Sequence, residues 1–108
     1  MKESKNVKIV VFVPETHADA VRRAIGDAGA GKIGNYSHCT FSSKGQGRFL
    51  PLGGAHPTIG EVGKMETVDE ERIEFVCDKD ILEKVIVAMK ASHPYEEVAF
   101  YIYPLLDI

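Results

Sequence analysis

The sequence has no tryptophan, two cysteines, little net charge and no long hydrophobic run. Each shortage closes off a class of protein. A formal net charge of −3 gives no electrostatic reason to expect a nucleic-acid partner. The two cysteines, Cys39 and Cys77, read as reduced thiols rather than as a disulfide. The apolar run from Val7 to Val13 is too short to cross a bilayer. The opening residues Met1 to Asn6 are polar and lack the small-residue cleavage site of a secretory signal. A cytoplasmic protein with neither membrane nor nucleic-acid partner is the expectation. Neither low-complexity segments nor internal repeats stand out.

What is present is ordinary for a globular protein: 108 residues, 44% hydrophobic and 27% charged. The whole chain, residues 1–108, reads as one domain. A chain of this size buries roughly 60–70% of its unfolded surface, enough for one core without staples. Lys8 to Val13 is β-branched and nearly uniformly apolar, the mark of a central strand buried on both faces, and Pro14 ends it. Thr16 with Asp19 resembles a capping box, after which Val21, Ala24, Ile25 and Ala28 recur at helical spacing. Gly29 and Gly31 terminate that helix. Ile33 to Phe41 reads as a second strand, Ser42 to Gly47 as a turn, and Arg48 to Pro51 as a short return strand. Leu52 to Gly63, rich in Gly and Pro, is a long loop of the kind that often carries function or sits at an interface. Lys64 to Val68 reads as an edge strand and Arg72 to Cys77 as a further strand. Asp78 or Asp80 caps a second helix with the stripe Leu82, Val85, Ile86 and Met89.

The closing stretch, His93 to Pro104, joins that helix to an aromatic strand. Pro94 cannot continue a helix and pushes His93 toward an extended conformation. Val98, Phe100 and Ile102 then face one way, and Ala99, Tyr101 and Tyr103 the other. The order β-α-β-β-α-β with an elaborated middle loop is the α+β, ferredoxin-like arrangement: an antiparallel sheet with both helices on one face. Apolar residues on both faces of the first and last strands call for cover by a second copy of the chain, so a homo-oligomer is expected.

Three chemical readings present themselves. Gly29-Ala30-Gly31-Lys32-Ile33-Gly34 fits G-x-G-x-x-G, and Gly26 to Lys32 fits G-x-x-x-x-G-K. Phosphate binding needs such glycines to open a helix, where N–H groups and the positive dipole end point at the anion. Here they close one, so neither a dinucleotide nor a P-loop site follows. Second, His38, His93, Glu96 and Glu97 could hold a divalent metal ion, though their spacing matches no zinc pattern and they must converge through the fold. On a strand only one of Glu96 and Glu97 shares a side with His93, and Glu97 is the one expected in a cleft. The competing role for His93 is a helix C-terminal contact. Third, Cys39 as a nucleophile lacks an orienting base beside it. No catalytic constellation emerges.

The blocks Gly29 to Phe41, Gly45 to Phe49, Pro57 to Gly60, Arg72 to Glu74 and His93 to Pro104, taken together and in this order, resemble the inserted domain of the NIF-three-like (YqfO-type) proteins. The resemblance runs from about Val7 to Leu105. It implies a PII/CutA-like, ferredoxin-like fold and a trimer. In that family the di-metal site lies in two flanking domains for which this chain has no room, so the resemblance carries no metal-dependent activity onto any residue here. It points to a stand-alone module: a small oligomeric binding or regulatory protein of unknown ligand. The alternatives are a divalent-metal-binding protein or metal-dependent enzyme using His93, Glu97 and His38, and a purely structural oligomerisation domain.

Overall fold

The first strand, β1 (Lys2–Pro14), lies inside the sheet because nearly every residue from Val7 to Val13 can be buried: Ile9, Val10, Val11 and Val13 are wholly so. The computed structural model describes all residues 1–108. After β1 come α1 (Ala18–Asp27), β2 (Phe41–Phe49), β3 (Glu66–Asp78), α2 (Leu82–Ser92) and β4 (Phe100–Asp107). A single 3-10 turn leads into each helix, Glu15–His17 before α1 and Lys79–Ile81 before α2. The sheet order is β2-β3-β1-β4, antiparallel throughout. This is the ferredoxin-like order expected from the element sequence.

Both helices lie on one face. Val21 and Ile25 of α1 and Val85 and Met89 of α2 pack against Ile9, Val11, Val13, Ile73, Phe75 and Cys77 of the sheet. The edge strand β4 adds Phe100 to that core, with the Lys90 ammonium 5.4 Å from its ring centroid. No helix is long and apolar enough to cross a membrane.

Several expectations are corrected. The capping box does not form: Thr16 Oγ1 lies 2.9 Å from His17 Nδ1, and Asp19 turns to Arg22 at 2.6 Å. Residues 33–40 are not a strand. Ile33 and Tyr36 bond each other in a tight turn, and Gly34 and His38 both take positive φ, which breaks any extended run. The segment read as a turn and short return strand is instead one continuous strand, β2. Its nine residues pair without interruption from Phe41↔Glu74 to Phe49↔Glu66. The two strands expected between Lys64 and Cys77 are likewise one, β3. Tertiary pairing with a long neighbour outweighs the local turn signal of Gly45 and Gly47. Asp78 caps the 3-10 turn rather than α2 itself, accepting the Asp80 N–H at 2.8 Å, and α2 starts after Ile81 without a side-chain cap.

The strands are longer than the helices can cover. Thirteen residues of β1 or β3 span roughly 43 Å. The ten and eleven residues of α1 and α2 span roughly 15–17 Å. The other face carries no helix at all. There residues from 50–59 and 95–99 roof one end, over Phe12, Phe49 and Glu70.

Candidate functional site

The roofed end holds a cavity of about 440 Å³. Its floor is the helix-free face of the sheet: Phe12 of β1, Gly47 and Phe49 of β2, and Glu70 of β3. Its walls are Leu50, Pro51, Leu52, Ala55, Pro57, Thr58 and Ile59 on one side and Tyr95, Glu96 and Glu97 on the other. The long Gly/Pro-rich loop therefore forms one wall of this cavity. Two hydrogen bonds pin the loops together. The His56 N–H donates to Glu96 Oε1 at 2.9 Å, and the Thr58 hydroxyl donates to the Pro94 carbonyl at 2.7 Å.

Glu70 is the polar centre of the floor. It is 9% exposed, and the Tyr95 hydroxyl donates to its Oε2 at 3.2 Å. Burial raises its pKa above the ordinary carboxylate value, and the Tyr95 bond offsets this in part. Tyr95 is pushed up to about 12, by burial first and then by the Glu70 charge. Its ring meets Phe49 edge-on, centroids 5.9 Å apart. Gly47 leaves room for the carboxylate as it lies, since a Cβ there would overlap Glu70 Oε1.

His93 holds the wall in place. It follows the last turn of α2 in the extended conformation that Pro94 imposes, with φ −86° and ψ 139°. The Tyr95 N–H donates to Nδ1 at 3.1 Å, so the ring proton sits on Nε2 and donates to the Phe12 carbonyl at 2.7 Å. The ring is 7% exposed, and burial, with a smaller push from His17, lowers its pKa below 6.5 against the opposing Phe12 bond. A neutral imidazole thus ties the end of β1 to the loop entering β4.

Of the four residues named as metal ligands, Glu96 and Glu97 line the cavity together. Strand alternation does not separate them, because residues 94–99 are loop and β4 starts at Phe100. His93 lies in the adjoining wall with both ring nitrogens engaged. His38 belongs elsewhere, in a polar cleft beside α1 with Asp19, Arg22, Arg23, Asp27 and Thr40. Its Nε2 lies 2.9 Å from Asp27, its Nδ1 2.9 Å from Ser37, and its ring rests on Gly26. No group of three or more His, Cys, Asp or Glu side chains stands close enough to hold a metal ion. Cys39 is half-buried with its Sγ 3.8 Å from the Ser37 carbonyl, and Cys77 is buried in the core, where burial pushes its thiol up. The glycines of the phosphate-like patterns do close α1: Gly29 and Gly31 have φ of 106° and 76°, and the Gly29 and Ala30 N–H groups bond back to the last turn.

Glu70 was missed in the sequence. Its signal was Gly45-Gln46-Gly47, since glycine inside a strand marks a close approach of another group; those glycines were assigned to a turn.

No family model matches the chain. It is 56% identical over 100 residues to a GTP cyclohydrolase 1 type 2 homolog of Halalkalibacterium halodurans, a match that takes in 93% of this chain and 27% of that protein. The chain thus spans about a quarter of the length of the curated relatives it matches. Among solved structures it matches the Bacillus cereus protein related to NIF3 with a TM-score of 0.83 and 54% identity, over 98% of this chain and 26% of that one. It matches the periplasmic divalent cation tolerance protein CutA of Archaeoglobus fulgidus with a TM-score of 0.66 and 16% identity, over 93% and 83% of the two chains. Bacillus subtilis GlnK matches at 0.60 and 16%, over 93% and 84%. The chain is thus homologous, over nearly its whole length, to a domain-sized stretch of the NIF3-related (YqfO-type) proteins, and its fold is the ferredoxin-like α+β fold of CutA and GlnK.

Proposed function

We propose that the chain is a small PII/CutA-like binding or regulatory module. It works as a cytoplasmic homo-oligomer, a trimer first of all, and takes its ligand in the cavity under residues 50–59. The observation that carries this reading is the cavity itself. It is of small-molecule size and mainly apolar, with a few polar groups in its lining. Nothing comparable to a nucleophile, base and oxyanion donor in one place accompanies it, so the reading is binding rather than catalysis. Self-association is supported by the helix-free face and β4, where Phe41, Tyr101, Tyr103 and Leu106 stand exposed in the single chain. Isothermal titration with zinc, copper and nucleotides, followed by light scattering, tests both parts. A mass near 11.9 kDa at micromolar concentration rejects the oligomer. Tyr101→Ser is expected to shift the mass toward that value.

A divalent-metal site is the second reading, favoured by Glu96 and Glu97 standing side by side, exposed, on one wall. It needs further ligands from another copy of the chain. Loss of zinc affinity in Glu97→Ala is its expected sign.

A further inference from the structure

We infer that the cavity takes a small organic cation: a primary ammonium or amidinium group carried on an apolar or aromatic body. This rests on the reading of the cavity as a binding site and gives that ligand a chemistry.

The first ground is charge. Glu70, Glu96 and Glu97 line the cavity. The one basic residue in its wall, Arg48, hydrogen-bonds Gln46 two residues back on β2, on the strand side opposite Gly47 and Phe49. On the floor side, Arg72 stands across from Phe12 in the register but turns to Glu74 at 3.7 Å. Lys8 also turns to Glu74, at 2.6 Å. Lys8 and Arg72 are therefore turned to Glu74, and the cavity lining holds three carboxylates against the single guanidinium of Arg48, an excess that an incoming positive group would balance.

The second ground is Glu70. A carboxylate nine-tenths buried with a tyrosine hydroxyl as its side-chain partner is costly, since a buried charge without a counter-charge loses hydration that one neutral donor does not replace. The fold nonetheless makes room for it by placing Gly47 where any Cβ would collide with Oε1. A cationic ligand supplies the missing counter-charge. The third ground is the remaining lining. Phe12, Phe49 and Tyr95 present rings that attract a cation over their faces, and Leu50, Pro51, Leu52 and Ile59 suit an apolar body.

Amide NMR with benzylamine, benzyl alcohol and benzoate at neutral pH tests this on the intact chain. The three share a ring and differ in charge. Benzylamine is expected to shift the amides of residues 47–59 and 95–99 and to bind about tenfold or more tightly than either of the others. Glu70→Gln and the exposed Glu97→Gln are each expected to weaken benzylamine, the former more. Equal binding of the alcohol or of benzoate overturns the cationic class and leaves the cavity as a site. Unchanged benzylamine affinity in both variants overturns it as well. If none of the three probes moves those amides, the cavity reading falls with it.

Discussion

The two faces of this sheet are made from the same strands, residue by residue in alternation, yet they have different fates. On the helix face Ile9, Val11, Val13, Ile73, Phe75 and Cys77 are buried and form one continuous core. On the other face Phe12 meets Tyr101 edge-on at 6.0 Å, Glu74 gathers Lys8 and Arg72, and Glu70 sits under a loop. The helix face is a solved packing problem. The other mixes rings, charges and glycine, and closes only partly within one chain. The difference fits the proposed site: stability is concentrated on the helix face, so the opposite face is free to carry groups that cost stability.

The sharpest way to break this contrast is to remove a side chain from the helix face. Ile73 of β3, opposite Val11 of β1, is wholly buried in the core that the sheet shares with the helices. Ile73→Ala is expected to cost about 2–5 kcal/mol in urea denaturation, because it leaves a cavity that the surrounding strands cannot fill.

His93 joins the two faces, and its effect comes next. His93→Ala leaves the Phe12 carbonyl and the Tyr95 N–H without partners, a loss of about 1–3 kcal/mol. The wild type should also lose stability in acid. The unfolded imidazole takes its proton near 6.5 and the folded one at lower pH, so the unfolded state binds more protons between the two. The His93 contribution is intact above 6.5 and is lost as pH falls toward the folded value. Thermal melts of wild type and His93→Ala across that window are expected to converge as the pH drops.

Glu70 runs the other way. Its folded pKa is raised above 4.5, so its contribution is favourable below 4.5 and is lost as pH rises through the folded value. Glu70→Gln keeps an acceptor for the Tyr95 hydroxyl and removes the buried charge. A higher melting temperature than wild type at neutral pH, shrinking to no difference well below pH 4.5, is the expected result. A lower melting temperature at neutral pH contradicts the view that this face carries a costly charge.

The helix face was legible in the sequence for the same reason that it is stable. The β-branched run of β1 and the stripe Leu82, Val85, Ile86, Met89 are patterns of burial, and burial is what periodicity reports. The other face was not. Ser42 to Gly47 has turn composition, and only pairing with all of β3 makes it a strand. The cavity draws on four separate segments, so no local spacing announces it. Glu96 and Glu97 were singled out through their motif, but that both line the cavity was hidden because the segment is loop where alternation was assumed. His93 was placed correctly at a helix end, while its partner, the Phe12 carbonyl 81 residues away, leaves no trace in sequence.

The smallest effect expected is at Lys32, and its smallness is informative. Gly26 to Lys32 reads as a phosphate-binding pattern, with Lys32 in the place of the lysine that would reach the phosphates. In the fold this stretch is the end of α1 and the turn after it, where helix carbonyls rather than N–H groups are left over. Gly31 is instead a packing device: its N–H donates to the Val76 carbonyl, its carbonyl accepts from Cys39, and a Cβ would lie 2.5 Å from the Cys39 carbonyl oxygen. Lys32 itself is exposed. Lys32→Ala is expected to change stability by less than about 0.5 kcal/mol and to leave any nucleotide titration unaltered. A micromolar nucleotide affinity that disappears in Lys32→Ala would move the binding site from the cavity on the helix-free face to the end of α1.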